Sequence, residues 1–294
     1  MRDREQQPKF VEPMLLTAGR VPDSEDWTLQ LKWDGCRAQL RYDTQTVSLR
    51  TRNGRECSAD FPELAGIAEV LGRHRVTLDG ELVCLRADGH PDFSLLRRRL
   101  TAGSRNGPPA MLQLFDVLHL DGRSTRALPY SQRRALIGEL ALHGPAWRTP
   151  ATVPGDRAAD FLAGVNRLGL EGVVAKRLDS RYLPGRRSTA WIKHKLRRDE
   201  QLTVTGVRWS PEGFVEALFV ARARPDGSFA SAGAIELGLQ RELVDALAER
   251  LAELPARRRG KVAWYPAKVS VLASLHGPPD RPVRDAVLRA VLAD

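Results

Sequence analysis

Cysteine is nearly absent from this chain, lysine is sparse, and neither long apolar runs nor an excess of acidic residues is present. The three cysteines, Cys36, Cys57 and Cys84, are widely separated and form no CxxC pair. That spacing argues against a zinc cluster or a disulfide scaffold and leaves buried, reduced thiols as the expectation. No segment reaches the roughly 18 apolar residues needed to span a bilayer. The opening MRDREQQPKF carries charges where a signal peptide would hold its apolar run, so a cytoplasmic protein with no membrane attachment is expected. Acidic residues number 36 against 46 lysines and arginines, a formal charge of +10 that favours a polyanionic partner, nucleic acid being the simplest.

Only seven of those 46 basic residues are lysines. An arginine-rich source explains the scarcity but not the clustering of the lysines that remain. Arginine stays protonated and cannot act as an amine nucleophile, so the places that keep lysine call for a closer look.

A length of 294 residues with 42% hydrophobic content is enough for about two domains. WTLQLKW and RAQLRYD alternate around a turn at Asp34 and Gly35, and TVSLRTR runs into the turn dipeptide Asn53-Gly54, which together predict an antiparallel meander. VTLDGELVCL and MLQLFDVLHL read as buried strands; PELAGIAEVLG, YSQRRALIGELAL and DRAADFLAGVNRLG have helical spacing. Beyond the basic stretch Lys193 to Arg198 the character changes to short strand-like runs separated by Pro/Gly turns, with one helix placing Leu243, Leu247, Leu251 and Leu254 on one face. That pattern fits a small barrel of the OB type. The expected division is therefore 1–197 and 198–294.

KWDGCR, from Lys32 to Arg37, sets an amine, a carboxylate and a guanidinium around a glycine turn at a strand end, an arrangement that can hold a phosphate. A lysine attacks phosphorus only when neutral, and at an ordinary pKa of about 10.4 well under roughly one part in a thousand is neutral at pH 7. Nearby positive charge favours the neutral form. Lys193 and Lys195 in WIKHK share a strand face and can supply that charge while clamping phosphates. Glu81 in LDGEL and Glu171 in EGVVAKR each stand beside a glycine, suited to a ribose hydroxyl or Mg²⁺. Plainer readings exist for each: solvating lysines, strand-end glutamates, a core role for Phe115 and an ordinary turn arginine at Arg52.

Taken in order, EPMLLT, LKWDGCR, TRNG, LDGEL, FDVLHLDG, EGVVAKR and YLPGRRSTAWIKHK resemble the covalent nucleotidyltransferase superfamily, specifically the bacterial ATP-dependent DNA ligases related to the ligase module of end-joining enzymes. The resemblance covers nearly the whole chain. It implies an α+β fold, a nucleotidyltransferase domain of ATP-grasp-like antiparallel sheets with helices followed by an OB-fold β-barrel. It further implies that Lys32 is the adenylated nucleophile, with Arg37 and Arg52 on the nucleotide sugar and phosphates, Glu81 on the ribose and Phe115 stacked on adenine. Glu171, with Asp34, would hold Mg²⁺ or Mn²⁺, Lys193 and Lys195 would bind the α-phosphate, and Lys176 and Leu31 would line the ATP site.

Two positions depart from the family pattern. Gln30 stands where a glutamate is common, and its carbonyl can still accept from the adenine amino group. The C-terminal motif that orients pyrophosphate has its nearest match in PVRDAVLRA around Arg284. The implied activity is sealing of 3′-OH/5′-phosphate nicks in double-stranded DNA by a monomer, in repair with separate partner proteins. An RNA ligase or capping-type nucleotidyltransferase, or a non-catalytic OB-containing nucleic-acid-binding module, remains the alternative. An NAD-dependent ligase would be expected to carry a zinc-binding cysteine cluster.

Overall fold

In the computed structural model, which describes residues 5–102, 107–277, 282–283 and 285–293, the chain forms two compact units that divide between His194 and Lys195. Arg284 lies outside the described residues. Among the described residues, no helix is long and apolar enough to cross a membrane.

The first unit is built on two sheets. One contains β1 (Leu15–Ala18), β2 (Trp27–Leu31), β9 (Val153–Pro154), β10 (Gly172–Arg177) and β11 (Arg187–Lys195), in the order β1-β11-β10-β2-β9. The other contains β3 (Cys36–Tyr42), β4 (Val47–Thr51), β5 (Val76–Cys84), β6 (Ala110–Leu120) and β7 (Arg123–Ser124), in the order β4-β3-β5-β6-β7, with β8 (Trp147–Arg148) alongside β6. Most pairs are antiparallel, as expected, but β1 with β11 and β6 with β8 are parallel, so both sheets are mixed. Helices α1 (Ile67–Leu71), α2 (Phe93–Ala102), α3 (Tyr130–Glu139) and α4 (Ala158–Arg167) complete the unit.

The expected meander needs correction. β2 pairs with β10 and β9, whereas β3 pairs with β4 and β5, so the Asp34-Gly35 turn carries the chain from one sheet to the other rather than closing a hairpin. Alternation along β3 and β5 explains why the crossing is stable. Ala38, Leu40 and Tyr42, with Leu78, Leu82 and Cys84, enter a large apolar core, while Arg37 and Gln39, with Asp79 and Glu81, occupy the other face. Gly35 is pressed against β5, because a Cβ there would strike the Leu82 carbonyl oxygen and approach Val83 Cγ1 to 2.8 Å. Gly35→Ala is expected to displace this turn and, on the resemblance's expectation that Lys32 is the adenylated nucleophile, to cut transfer of nucleotide to it by roughly tenfold or more, the cost of a small misplacement of reacting groups. Circular dichroism would confirm that the fold survives, and an unchanged transfer rate would argue against a crowded crossing.

In the second unit, β12 (Arg198–Trp209), β13 (Val215–Ala223), β14 (Phe229–Ile235), β15 (Arg257–Arg259) and β16 (Val262–Leu275) form a sheet in the order β14-β13-β12-β16-β15, with β17 (Val287–Val291) on β16. Helix α5 (Arg241–Ala252) buries Leu247 and Leu251 in that unit's core, with Leu243 and Leu254 packed beside them, the face its spacing predicts.

Candidate active site

The inner faces of the first unit's two sheets enclose a cavity of about 380 Å³, within the range of small-molecule sites. Its deep end is buried and partly aromatic: Trp191, Lys176, Gln30 and Phe115 are between 0% and 9% exposed. Toward the mouth the lining becomes cationic, with Lys32, Arg52, Arg187 and Lys193, of which Arg52 and Arg187 are exposed. A ligand with a flat apolar ring at one end and anionic groups at the other suits this gradient.

Lys32 follows β2 directly, and its backbone N–H donates to the Gly172 carbonyl at 2.9 Å, continuing the β2–β10 ladder past Leu31 and Val173. That register brings in Glu171, whose Oε2 accepts from Lys32 Nζ at 2.7 Å. Gln30 faces the cavity from the same strand, and Leu31 also lines it.

Arg37 lies opposite Glu81 across β3 and β5 and reaches diagonally to Asp79, donating from Nε at 2.7 Å and from Nη2 at 2.6 Å. Such a bidentate, charge-assisted pair fixes the plane of the guanidinium. Tyr182 secures the carboxylate from behind: its hydroxyl donates to Asp79 Oδ2 at 2.6 Å and accepts from the Met14 backbone N–H at 3.0 Å. Held in this way, the Arg37 guanidinium carbon stands 4.8 Å from the centre of the Phe115 ring.

Phe115 reaches the cavity through a β-bulge. Asp79 pairs with Asp116 and Gly80 with Leu114, so Phe115 is the extra residue of β6, the kind of irregularity that re-aims a side chain. Asp116, turned inward beside it, is neutralised by Arg133 from α3 with bonds of 2.7 and 3.0 Å, both side chains fully buried. The remaining Arg133 donors meet the carbonyls of Leu128 and Ser180.

Lys176 has its Nζ 3.9 Å from the Phe115 ring centre, 4.2 Å from that of Trp191 and 4.8 Å from that of Tyr130. Burial, reinforced by Arg37 and Arg133 against the opposing pull of Asp116 and Asp79, drives its amine well below the usual lysine range.

Glu81 is shifted the other way. Desolvation of its carboxyl outweighs the attraction of Arg37 and Lys32, Glu171 and Asp79 add repulsion, and its pKa rises to about 7. The folded state therefore keeps its proton where the unfolded chain has lost it, so stability is full below the usual carboxylate range and declines as pH rises through about 7. Glu81→Gln removes that decline. In urea titrations the variant's midpoint should gain on wild type between pH 5 and pH 8 and level off above that range; a constant difference would mean that Glu81 is ionised throughout.

Of the residues singled out from the sequence, Gln30, Leu31, Lys32, Arg37, Arg52, Glu81, Phe115, Lys176 and Lys193 line one cavity, and Glu171 joins them through Lys32. Asp34 sits in the turn between the sheets and is not among the lining residues. Lys195 is the last residue of β11 and the first of the second unit, is not among the lining residues, and its Nζ meets Asp285 Oδ2 at 3.1 Å. Sequence reasoning misses several residues of the site. Asp79 is legible in hindsight, since it lies two positions before Glu81 on the same strand face; Tyr182 and Trp191 lie inside YLPGRRSTAWIKHK without being assigned work. Arg187 lies in the same motif, equally unassigned, and Phe93 carries no local signal.

Comparison with known proteins gives a consistent placement. The family model described as the ATP dependent DNA ligase domain matches residues 14–195. The multifunctional non-homologous end joining DNA repair protein LigD of Mycobacterium tuberculosis is 37% identical over 249 residues, covering 82% of this chain and 32% of that protein. Its Pseudomonas aeruginosa counterpart is 34% identical over 276 residues, covering 87% and 32%. The chain thus spans about a third of the length of these relatives. A solved mycobacterial DNA ligase D, complexed with ATP and MES, superposes with a TM-score of 0.62 at 32% identity, covering 98% of this chain and 97% of that one. The chain belongs to the ATP-dependent DNA ligase family.

Proposed function

We propose that this ligase seals breaks between a 3′-hydroxyl and a 5′-phosphate in double-stranded DNA through a covalent adenylate on Lys32. The observation that carries the reading is the placement of the Lys32 amine at the cationic mouth of a cavity whose deep end is lined by aromatic rings. Adenine enters against Phe115, the ribose hydroxyls meet Glu81, and Arg37, Arg52 and Lys193 bind the ribose and phosphates. Lys32 Nζ loses its proton and forms a bond to the α-phosphorus as the bond to pyrophosphate breaks. A 5′-phosphate oxygen of the DNA then displaces Lys32 from the adenylate, and the 3′-hydroxyl attacks that 5′-phosphorus, releasing AMP. Positive groups around the phosphoryl oxygens supply most of the stabilisation in such transfers.

The carboxylates present decide how well the expected metal site fits. Among the described residues no group of three or more His, Cys, Asp or Glu side chains could hold an ion. Magnesium, however, usually takes one or two carboxylates together with substrate phosphates and water. Glu171 beside Lys32 fits that mode; Asp34, outside the cavity lining, has less support. The ion would neutralise phosphate charge, and its capture of Glu171 would also release Lys32 from its present ion pair.

Residues 1–197 serve as the adenylation domain and 198–294 as an OB-fold that helps grip DNA. A net charge of +10 supports this grip, so affinity for nicked duplex should fall steeply with salt. The end-joining names of the relatives support a role in repair, with further proteins supplying other steps. The direct test strips bound nucleotide with pyrophosphate and adds Mg²⁺ with α-labelled ATP. Acid-labile label should appear on the protein and be discharged by nicked duplex as the nick is sealed. Label from GTP alone, or label that DNA cannot discharge, would refute the reading.

A further inference from the structure

The deep end of the cavity holds three hydrogen-bond donors that meet no acceptor in good hydrogen-bond geometry. Gln30 Nε2, Lys176 Nζ and Trp191 Nε1 are all buried, all belong to residues lining the cavity, and none has a hydrogen-bond partner. Their parent side chains are 3%, 2% and 0% exposed. The Tyr130 hydroxyl lies close to the Gln30 amide but does not reach hydrogen-bond geometry. Buried N–H groups are rarely left unmade without a reason, because each forfeits its hydration. The register of β2 against β10 explains their convergence: Gln30 lies opposite Val174 and Thr28 opposite Lys176, so Gln30 and Lys176 are diagonal neighbours on one face, with Trp191 on the adjoining strand β11.

An amide differs from a carboxylate in one respect that matters here. Its oxygen accepts, its nitrogen donates, and a half-turn of the side chain exchanges them. A 6-amino purine needs an acceptor opposite its exocyclic group, whereas a 6-oxo purine needs a donor. Gln30 can offer either, and Lys176 adds a donor beside it. We propose that Gln30 and Lys176 read the six-position of the purine, and that the amide at Gln30 lets this ligase take a 6-oxo purine triphosphate as well as ATP. The inference rests on the cavity being the nucleotide site of Lys32 and adds to it the breadth of base selection. Inosine triphosphate is the appropriate probe, since hypoxanthine matches adenine in outline and lacks the 2-amino group that would bring in a separate steric effect.

The test measures, by intact-protein mass, the rate of nucleotide transfer to Lys32 from ATP and from inosine triphosphate, each supplied alone with Mg²⁺ to full-length protein cleared of nucleotide. Wild type should use inosine triphosphate within about tenfold of ATP, and Gln30→Glu, which offers only acceptors while ionised, should shift the ratio toward ATP by roughly tenfold or more, the scale of one hydrogen bond to a buried group. Equilibrium binding of the two nucleotides to Lys32→Ala, with and without Gln30→Glu, repeats the comparison where no covalent step can intervene. A wild-type preference for ATP beyond a hundredfold, or a ratio that Gln30→Glu leaves unmoved in both assays, overturns the proposal. Absence of transfer from ATP itself would instead remove the ligase reading on which it stands.

Discussion

Replacing Lys32 with alanine should abolish transfer of AMP to the protein and reduce sealing of a 5′-phosphorylated nick by roughly a thousandfold or more, the scale seen when a covalent nucleophile is removed. The same variant should retain measurable sealing on a nick that already carries AMP on its 5′-phosphate, because that final displacement forms no bond to Lys32. Lys32→Arg should fail as completely as Lys32→Ala in the first assay, since a guanidinium stays protonated and has no lone pair to offer phosphorus. The split between the two substrates is the informative part. A protein merely destabilised by the substitution would lose both reactions together, whereas a missing nucleophile silences only the steps through the lysyl adenylate. Equal loss on both substrates by a variant that melts like wild type would show that Lys32 positions the DNA rather than carrying AMP.

Much of this site is legible in the sequence, for a definite physical reason. Strand side chains alternate, so Lys193 on β11, Glu81 on β5 and Arg37 on β3 can each be placed on a strand face from sequence alone, and the glycine turn at Gly35 marks the start of β3; Gly80 beside Glu81 instead lies in the middle of β5. The helical face of α5 is equally readable from its leucine spacing. What alternation cannot convey is which sheet a strand joins. WTLQLKW and RAQLRYD look like two arms of a hairpin, yet each is completed by a partner far along the chain, β10 in one case and β5 in the other. The bulge at Phe115 is hidden for a related reason: an extra residue in one strand is defined only by the strand opposite. Lys193 and Lys195 do share a face of β11, but alternation does not announce the carboxylate of Asp285 that meets Lys195.

Asp79 supports both the fold and the proposed nucleotide site, and Asp79→Ala is expected to damage both. Its carboxylate is fully buried and accepts both donors of Arg37 and the hydroxyl of Tyr182. Truncation would leave a nearly buried guanidinium without its counter-charge, a change that typically costs about 3–5 kcal/mol. Spread over a unit of this size, that is a fall in melting temperature of roughly 10 °C or more. Function should suffer separately, because Arg37 is held over Phe115 by Asp79 and would lose the orientation in which, on the proposed reading, it meets the nucleotide. The KM for ATP in self-adenylation should therefore rise even well below the melting point. Combining Asp79→Ala with Arg37→Met separates the two effects. With the stranded charge gone, the double variant should recover much of the lost stability, a coupling that adjacent charged partners show and independent sites do not, while its KM for ATP stays high. If the two substitutions instead add in their effect on stability, the damage comes from the cavity left at Asp79 and the clamp has no special part in holding the site.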